Sequence, residues 1–301
     1  MTDGSLTAEA GGGSEAWPGS RGGRAIGAMR RLRRHHAAVA SIAVLALITL
    51  ACVLGPDLLP YDPEAADFDR IAAPPDFASR HFLGTDELGR DLLARVLTGG
   101  RMSLTVGVVA TLVSLVIGVL YGAAAGYAGG LADNLMMRTV DILYSLPFMF
   151  FVIMLTVLFG RGLIVLFLAI GAVQWLTIAV IVRGQTLSLK RREFIEAARA
   201  GGMRNIAIVL QHIIPNCIGP VIVYASLTVP EVILGESFLS FLGLGVQEPR
   251  TSWGVLIEQG AAHMDTAPGL LIWPGAFLAA TLFSLNFIAD GLRDAFDPKD
   301  R

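Results

Sequence analysis

Apolar residues in this chain neither alternate nor recur on one helical face. They gather into long uncharged runs separated by short polar stretches. Crossing ~30 Å of hydrocarbon takes about 20 consecutive apolar residues in a helix. Six runs meet that length: 37–54, 104–125, 140–159, 163–182, one between Arg204 and Glu231 that continues to Gly235, and one between Asp265 and Asp290. A transmembrane β-barrel would show alternation instead. The pattern therefore predicts an all-α polytopic membrane protein with six transmembrane helices. The first run follows a basic segment, as a signal peptide does, and Leu50-Ala51-Cys52 loosely resembles a lipoprotein processing site. With no small-x-small cleavage site after it and five further spans, it reads as an uncleaved helix.

Composition supports the same class. Charged residues are 16% of the 301, too few to cover a soluble surface, for which ~25% is usual. The two cysteines, Cys52 and Cys217, lie in or beside apolar runs and form no disulfide framework. Lys and Arg are distributed unevenly. With the N-terminus inside, the inner segments 1–36, 126–139, 183–212 and 291–301 carry 16 basic residues, and the outer segments 55–103, 160–162 and 236–267 carry 7. This asymmetry predicts that both termini are cytoplasmic. Residues 1–36 read as a largely disordered basic N-terminus, in which Arg30, Arg31, Arg33 and Arg34 anchor the topology. The division that follows is a first helix 37–54, an outer segment 55–103, a five-helix core 104–290 and a cytoplasmic tail 291–301.

Enzymatic motifs are missing. A Walker phosphate loop needs Gly-Lys followed by Ser or Thr. The two lysines, Lys190 and Lys299, follow Leu189 and Pro298. His-Glu-x-x-His and Gly-x-Ser-x-Gly are absent too, so no catalytic, metal or cofactor site is expected in this chain. Ionisable residues in spans are functional candidates by default. Asp141 and Asp290 fall at cytoplasmic span ends, and Glu231 and Glu236 toward the outer end of the fifth span, where water or snorkelling relieves a charge. Pro220 and Pro230 can kink that span. Glu231, Glu236 and Pro230 are thus candidate gate or pore residues, with ordinary packing irregularity as the alternative.

The loop after the fourth span, 188–216, is too rich in helix formers to be a simple turn. Phe194, Ile195, Ala197 and Ala198 give a short helix a partly apolar face. Gly201-Gly202 ends it, since glycine takes the left-handed C-terminal conformation. A second short helix from about Asn205 leads to Pro215. Small alanines and the charge of Glu196 make a docking surface for another protein. An interfacial helix lying on lipid is the alternative.

Glu196-Ala197-Ala198, then Gly202, then Pro215 resembles the EAA loop of bacterial ABC importer permeases. His212 to Asn216, His81 to Leu104, Glu236 to Gly254 and Ala289 to Arg301 are similar to segments of the oligopeptide/dipeptide permease family, C-subunit type. Gly201 departs from the family, which often has a bulky aliphatic residue there. The resemblance implies a type I ABC importer permease fold in the bacterial cytoplasmic (inner) membrane and half of a translocation pore for di- or oligopeptides. It also implies a second homologous permease, an extracytoplasmic binding protein, and two ATPase subunits that carry ATP and Mg. Glu196, Ala197, Ala198, Gly202 and Pro215 would then couple this chain to an ATPase. Nickel, glutathione or another small solute are alternative cargoes. A stand-alone channel or secondary carrier, or a membrane anchor without transport, are alternative classes.

Overall fold

A computed structural model describes residues 27, 31–33, 35–160 and 162–296. Most of the basic N-terminus and residues 297–301 of the tail lie outside the described residues. Helix α1 spans His36–Leu58, α2 Leu92–Ala128, α3 Gly130–Tyr144, α4 Phe148–Phe159 and α5 Leu163–Leu189. Two short helices follow, α6 (Glu193–Ala200) and α7 (Asn205–Ile208). A π turn, Val209–Ile213, joins α7 to α8 (Ile214–Phe241), and α9 (Trp253–Ala262) and α10 (Gly269–Phe296) complete the chain. Among the described residues no strand forms, only isolated bridges Asp76–His81 and Thr85–Asp91.

The helices α1, α2, α5, α7–α8 and α10 are each long and apolar enough to cross a membrane. The sixth crossing differs from expectation. In place of a continuous helix over 140–159, the chain forms α3 and α4, bent by 87°. Pro147 explains the break. It has no amide hydrogen to donate, and its ring disfavours helical backbone at Leu146. Counting apolar residues is blind to both effects. Long-range contacts show that the bent pair still carries the chain across. Glycines 118, 122 and 126 of α2 face Ile178, Ala179 and Thr186 of α5 in the same order, so those helices run parallel. Two helices in parallel need a crossing between them, which α3 and α4 supply.

Close α2–α5 packing follows from that glycine spacing. At Gly122 an added Cβ would stand 2.3 Å from the Ala179 carbonyl oxygen, so only glycine admits this approach. Small residues four apart are the usual means of bringing membrane helices together, because lipid gives no hydrophobic drive between them.

Both ends of the described chain lie at the bundle end that holds the α5–α8 loop. His35 reaches Asp294, Gly291 abuts Ala38, and Gly219 near the start of α8 approaches Phe296. At the opposite end Cys52, Leu92, Val96, Ile233 and Trp253 form an apolar cluster that joins α1, α2, α8 and α9.

That opposite end is more structured than a loop reading of 55–103 implies. Asp91 caps α2 by accepting from Ala94 N at 2.7 Å, so the helix starts twelve residues before the apolar run at 104. His81 Nδ1 lies 2.8 Å from Asp91 Oδ2. Asp86 pairs with Arg90 Nε at 2.7 Å and with Arg95, which is 1% exposed. Burial pushes the Asp86 carboxyl up, but hydrogen bonds and charge from Arg95 and Arg90 outweigh it and hold the group below the usual carboxylate range. An unpaired arginine would exclude this stretch from a buried helix; the pairing of Arg95 with Asp86 is what allows α2 to include it.

Candidate functional site

Helix α6 has two faces. Ile195 is fully buried, in a cluster with Ala123 of α2, Ile178 and Val182 of α5, Ile208 of α7, Ile213 of the π turn and Cys217 of α8. Burying one such side chain contributes about 1.5–3 kcal/mol, enough to fix how an eight-residue helix sits. Ala198 is half-buried against the same cluster, whereas Glu196 and Ala197 are exposed on the opposite face. Glu193 and Glu196 stand in the first turn and Arg199 in the last, each sign matching the helix dipole.

Gly202 ends the helix as its sequence position predicts. It has φ +77°, its N–H donates to Arg199 O at 3.0 Å, and Met203 N donates to Ala198 O at 3.1 Å. These two bonds define a Schellman motif, and Met203 packs in the same cluster as Ala198. Gly201, by contrast, has an ordinary φ of −74°.

Beyond this turn the chain re-enters a helix at Asn205. Pro215 sits in the first turn of α8 without a donor. The turn before it opens to π spacing, with Ile214 N donating to Val209 O. The second short helix and the fifth span are therefore one rod, Asn205–Phe241. A force on α7 would reach the membrane span along continuous helix.

The loop also grips the end of α2. Tyr127 Oη donates to Asn205 Oδ1 at 2.8 Å, and Lys190 Nζ donates to Tyr127 O at 2.5 Å. Lys190 Nζ and Arg199 Cζ lie 5.5 and 5.7 Å from the Tyr127 ring centroid. These groups line a cleft of about 690 Å³. Sequence reading did not single out Tyr127; a lone tyrosine at a span end reads as an interfacial anchor.

The outer candidates separate. Glu231 is exposed on α8 beside buried Pro230, whereas Glu236 is fully buried. Ser103 and Ser240 donate to Glu236 at 3.1 and 2.7 Å, and Trp253 N at the start of α9 donates to Ser103 Oγ at 3.2 Å. Serine hydroxyls of α2 and α8 hydrogen-bond this carboxyl away from the surface. It joins α2, α8 and α9 inside one subunit. Asp141 and Asp290 are exposed. Sequence reading also missed Asp133, which is buried and takes two hydrogen bonds from Arg183 at 2.6 and 2.8 Å. Fifty residues separate the pair, and no local pattern announces it.

Residues 90–301, which contain this loop and its supports, match the family described as binding-protein-dependent transport system inner membrane component. The chain belongs to that family. It is a multi-pass component of the bacterial inner membrane. Residues 26–75 match the N-terminal transmembrane domain of oligopeptide transport permease C. Similar curated proteins include the oligopeptide transport system permease protein OppC of Escherichia coli, 57% identical over 91% of each chain. That of Haemophilus influenzae is 56% identical over 91% of this chain and 88% of its own. The dipeptide transport system permease protein DppC of Bacillus subtilis is 42% identical over 91% and 85%.

Proposed function

We propose that this chain is the C-type permease subunit of an ATP-driven importer of di- or oligopeptides. It forms half of the pore with a second, homologous permease. Two ATPase subunits carry ATP and Mg at the loop end, and an extracytoplasmic binding protein delivers cargo at the other. The observation that carries this reading is the exposed Glu196–Ala197 face of α6, held by Ile195 and by the Gly202 turn, which leads directly into the continuous helical run Asn205–Phe241 of the fifth span. The names of the similar permeases support peptide cargo. The excess of Lys and Arg supports a cytoplasmic loop end, on the side where ATP is.

In this reading Glu196 pairs with a cation on the ATPase, since among the described residues it forms no ion pair. Closure of the ATPase pair pulls α6, and the Asn205–Phe241 rod transmits the pull. Loop and binding protein thereby bias the same two-state bundle from opposite ends. Glu231, exposed next to Pro230, faces outward from the subunit and is available to line a path shared with the second permease. Glu236 serves that path indirectly, by holding α2, α8 and α9 together.

Reconstitution tests the proposal. The purified chain alone should hydrolyse no ATP. Vesicles with both permeases and the ATPase subunits should import a peptide only when the loaded binding protein is outside. ATP turnover by the chain alone, or import without the ATPase subunits, would contradict it.

A further inference from the structure

The loop's apolar contact through Ile195 is non-directional, since burial rewards area and not angle. A cluster of that kind holds α6 on the bundle but does not by itself set the direction in which motion is passed on. The contact that ties the loop to α2 is, by contrast, directional. The Tyr127 hydroxyl donates to Asn205 Oδ1 at 2.8 Å, and its carbonyl accepts from Lys190 Nζ at 2.5 Å. Its ring stands within reach of both the Lys190 ammonium and the Arg199 guanidinium. One residue thus contacts the end of α5 (Lys190), the end of α6 (Arg199) and the start of α7 (Asn205).

Tyr127 also lies two residues before Gly129, whose φ of +68° turns the chain from α2 into α3. A displacement of α6 or α7 passed to Tyr127 acts on the last turn of α2 and on the hinge into the bent α3–α4 crossing. Helix α2 is locked along α5 by its glycines, so a pull at its end moves a paired unit. We infer that Tyr127 is a positioning residue for coupling: through Asn205 it ties the motion of the α6–α7 loop to α2, so that the loop drives two parts of the bundle, α8 by chain continuity and α2 by this joint. The inference rests on the proposed coupling role of the loop. An interfacial anchor would leave the hydroxyl in the headgroup layer; here it is spent on the loop.

The test uses the complete complex, with both permeases, the ATPase subunits and the binding protein, in proteoliposomes. Tyr127→Phe removes only the hydroxyl, and Asn205→Ala removes only its acceptor. Three quantities are read: peptide imported per ATP hydrolysed, ATPase rate stimulated by the binding protein, and retention of ATPase subunits on purification. Each variant should lower import per ATP by roughly 2- to 10-fold, the ratio that one net hydrogen bond supports, with ATPase rate and retention unchanged. The double variant should be no worse than either single one, and Asn205→Asp, which keeps an acceptor, should stay near wild type. An unchanged import ratio would overturn the inference. So would additive losses in the double variant, or a joint fall of all three readouts, which marks a merely structural role. Glu196→Lys in the same assay separates the two levels. If it leaves import intact, the loop's coupling role fails; if it abolishes import while Tyr127→Phe leaves the ratio unchanged, only the joint fails.

Discussion

Gly201 and Gly202 are adjacent, yet alanine should act oppositely at the two. At Gly202 the backbone is left-handed, with φ +77°, and an added Cβ would meet no atom within 4 Å. The penalty there is purely conformational, about 1–2 kcal/mol for an L residue with a Cβ and more for a β-branched one. Since about 1.4 kcal/mol is a factor of ten, Gly202→Ala should depopulate the closed turn by roughly 5- to 30-fold, and Gly202→Val by more. Gly201 has φ −74°, and a Cβ there would meet the Ala197 carbonyl oxygen at 3.4 Å, an ordinary contact. Gly201→Ala should therefore be neutral or stabilising by about 0.4–1 kcal/mol, through a stiffer unfolded chain. Peptide uptake, normalised to membrane abundance, reads the difference. Gly202→Asn separates strain from bulk at the docking face. Asparagine is larger than alanine but tolerates the left-handed region. If strain governs, Gly202→Asn outperforms Gly202→Ala; if docking bulk governs, the order reverses. Equal losses from alanine at 201 and 202 would refute the reasoning.

Ser103 and Ser240 donate to different oxygens of Glu236, so Glu236→Gln keeps an acceptor for one hydroxyl and offers its amide N–H to the other, and should preserve membrane abundance. Glu236→Leu orphans them at about 1–3 kcal/mol each and should lower abundance, whereas a pure gate would lose uptake and keep abundance. Asp86→Asn leaves the buried Arg90 and Arg95 with only the half-exposed Glu248, at 3.5 and 4.0 Å, as a carboxylate partner and should cost up to about 3 kcal/mol, read as earlier thermal inactivation. Because the Asp86 carboxyl is held low, its contribution is full above the ordinary carboxylate value of ~3.9 and is lost as pH falls through its lower folded value. Hydrogen exchange at the Leu88 and Arg90 amides, both bonded to Asp86 Oδ1, should stay slow from about pH 8 to about pH 5; loss of protection in that range would contradict the pairing. Single cysteines at Ala200 and Arg250, both exposed, should label from opposite sides in a background without Cys52 and Cys217. Thr251 is buried and would make a poor probe. Labelling of both from one side would refute six crossings.

Lipid burial is written into composition, and so the spans and the loop's helix–glycine–helix form were legible in the sequence. The Gly202 turn is local chemistry and was equally readable. What escaped was long-range or a matter of backbone geometry. The 87° bend at Pro147 sits inside an apolar run that reads as one span. Helix α2 can begin at Leu92 because Asp86, 9 residues upstream of Arg95, pairs with that arginine inside the fold. Glu236 looked interfacial by position, but Ser103 satisfies it from 133 residues away. Asp133–Arg183 and Tyr127–Asn205 likewise join residues that only the folded bundle brings together.

The most direct measurement of the loop's coupling role is peptide uptake by Glu196→Lys beside its membrane abundance, with and without an acidic substitution at the facing cation of the ATPase. Glu196 is exposed on α6 and outside every span, so the variant should reach the membrane at wild-type levels. A like-charge contact in a partly desolvated interface costs several kcal/mol, which predicts near-complete loss of uptake and partial recovery with the acidic partner. Near-normal uptake by Glu196→Lys at wild-type abundance would contradict the coupling role outright.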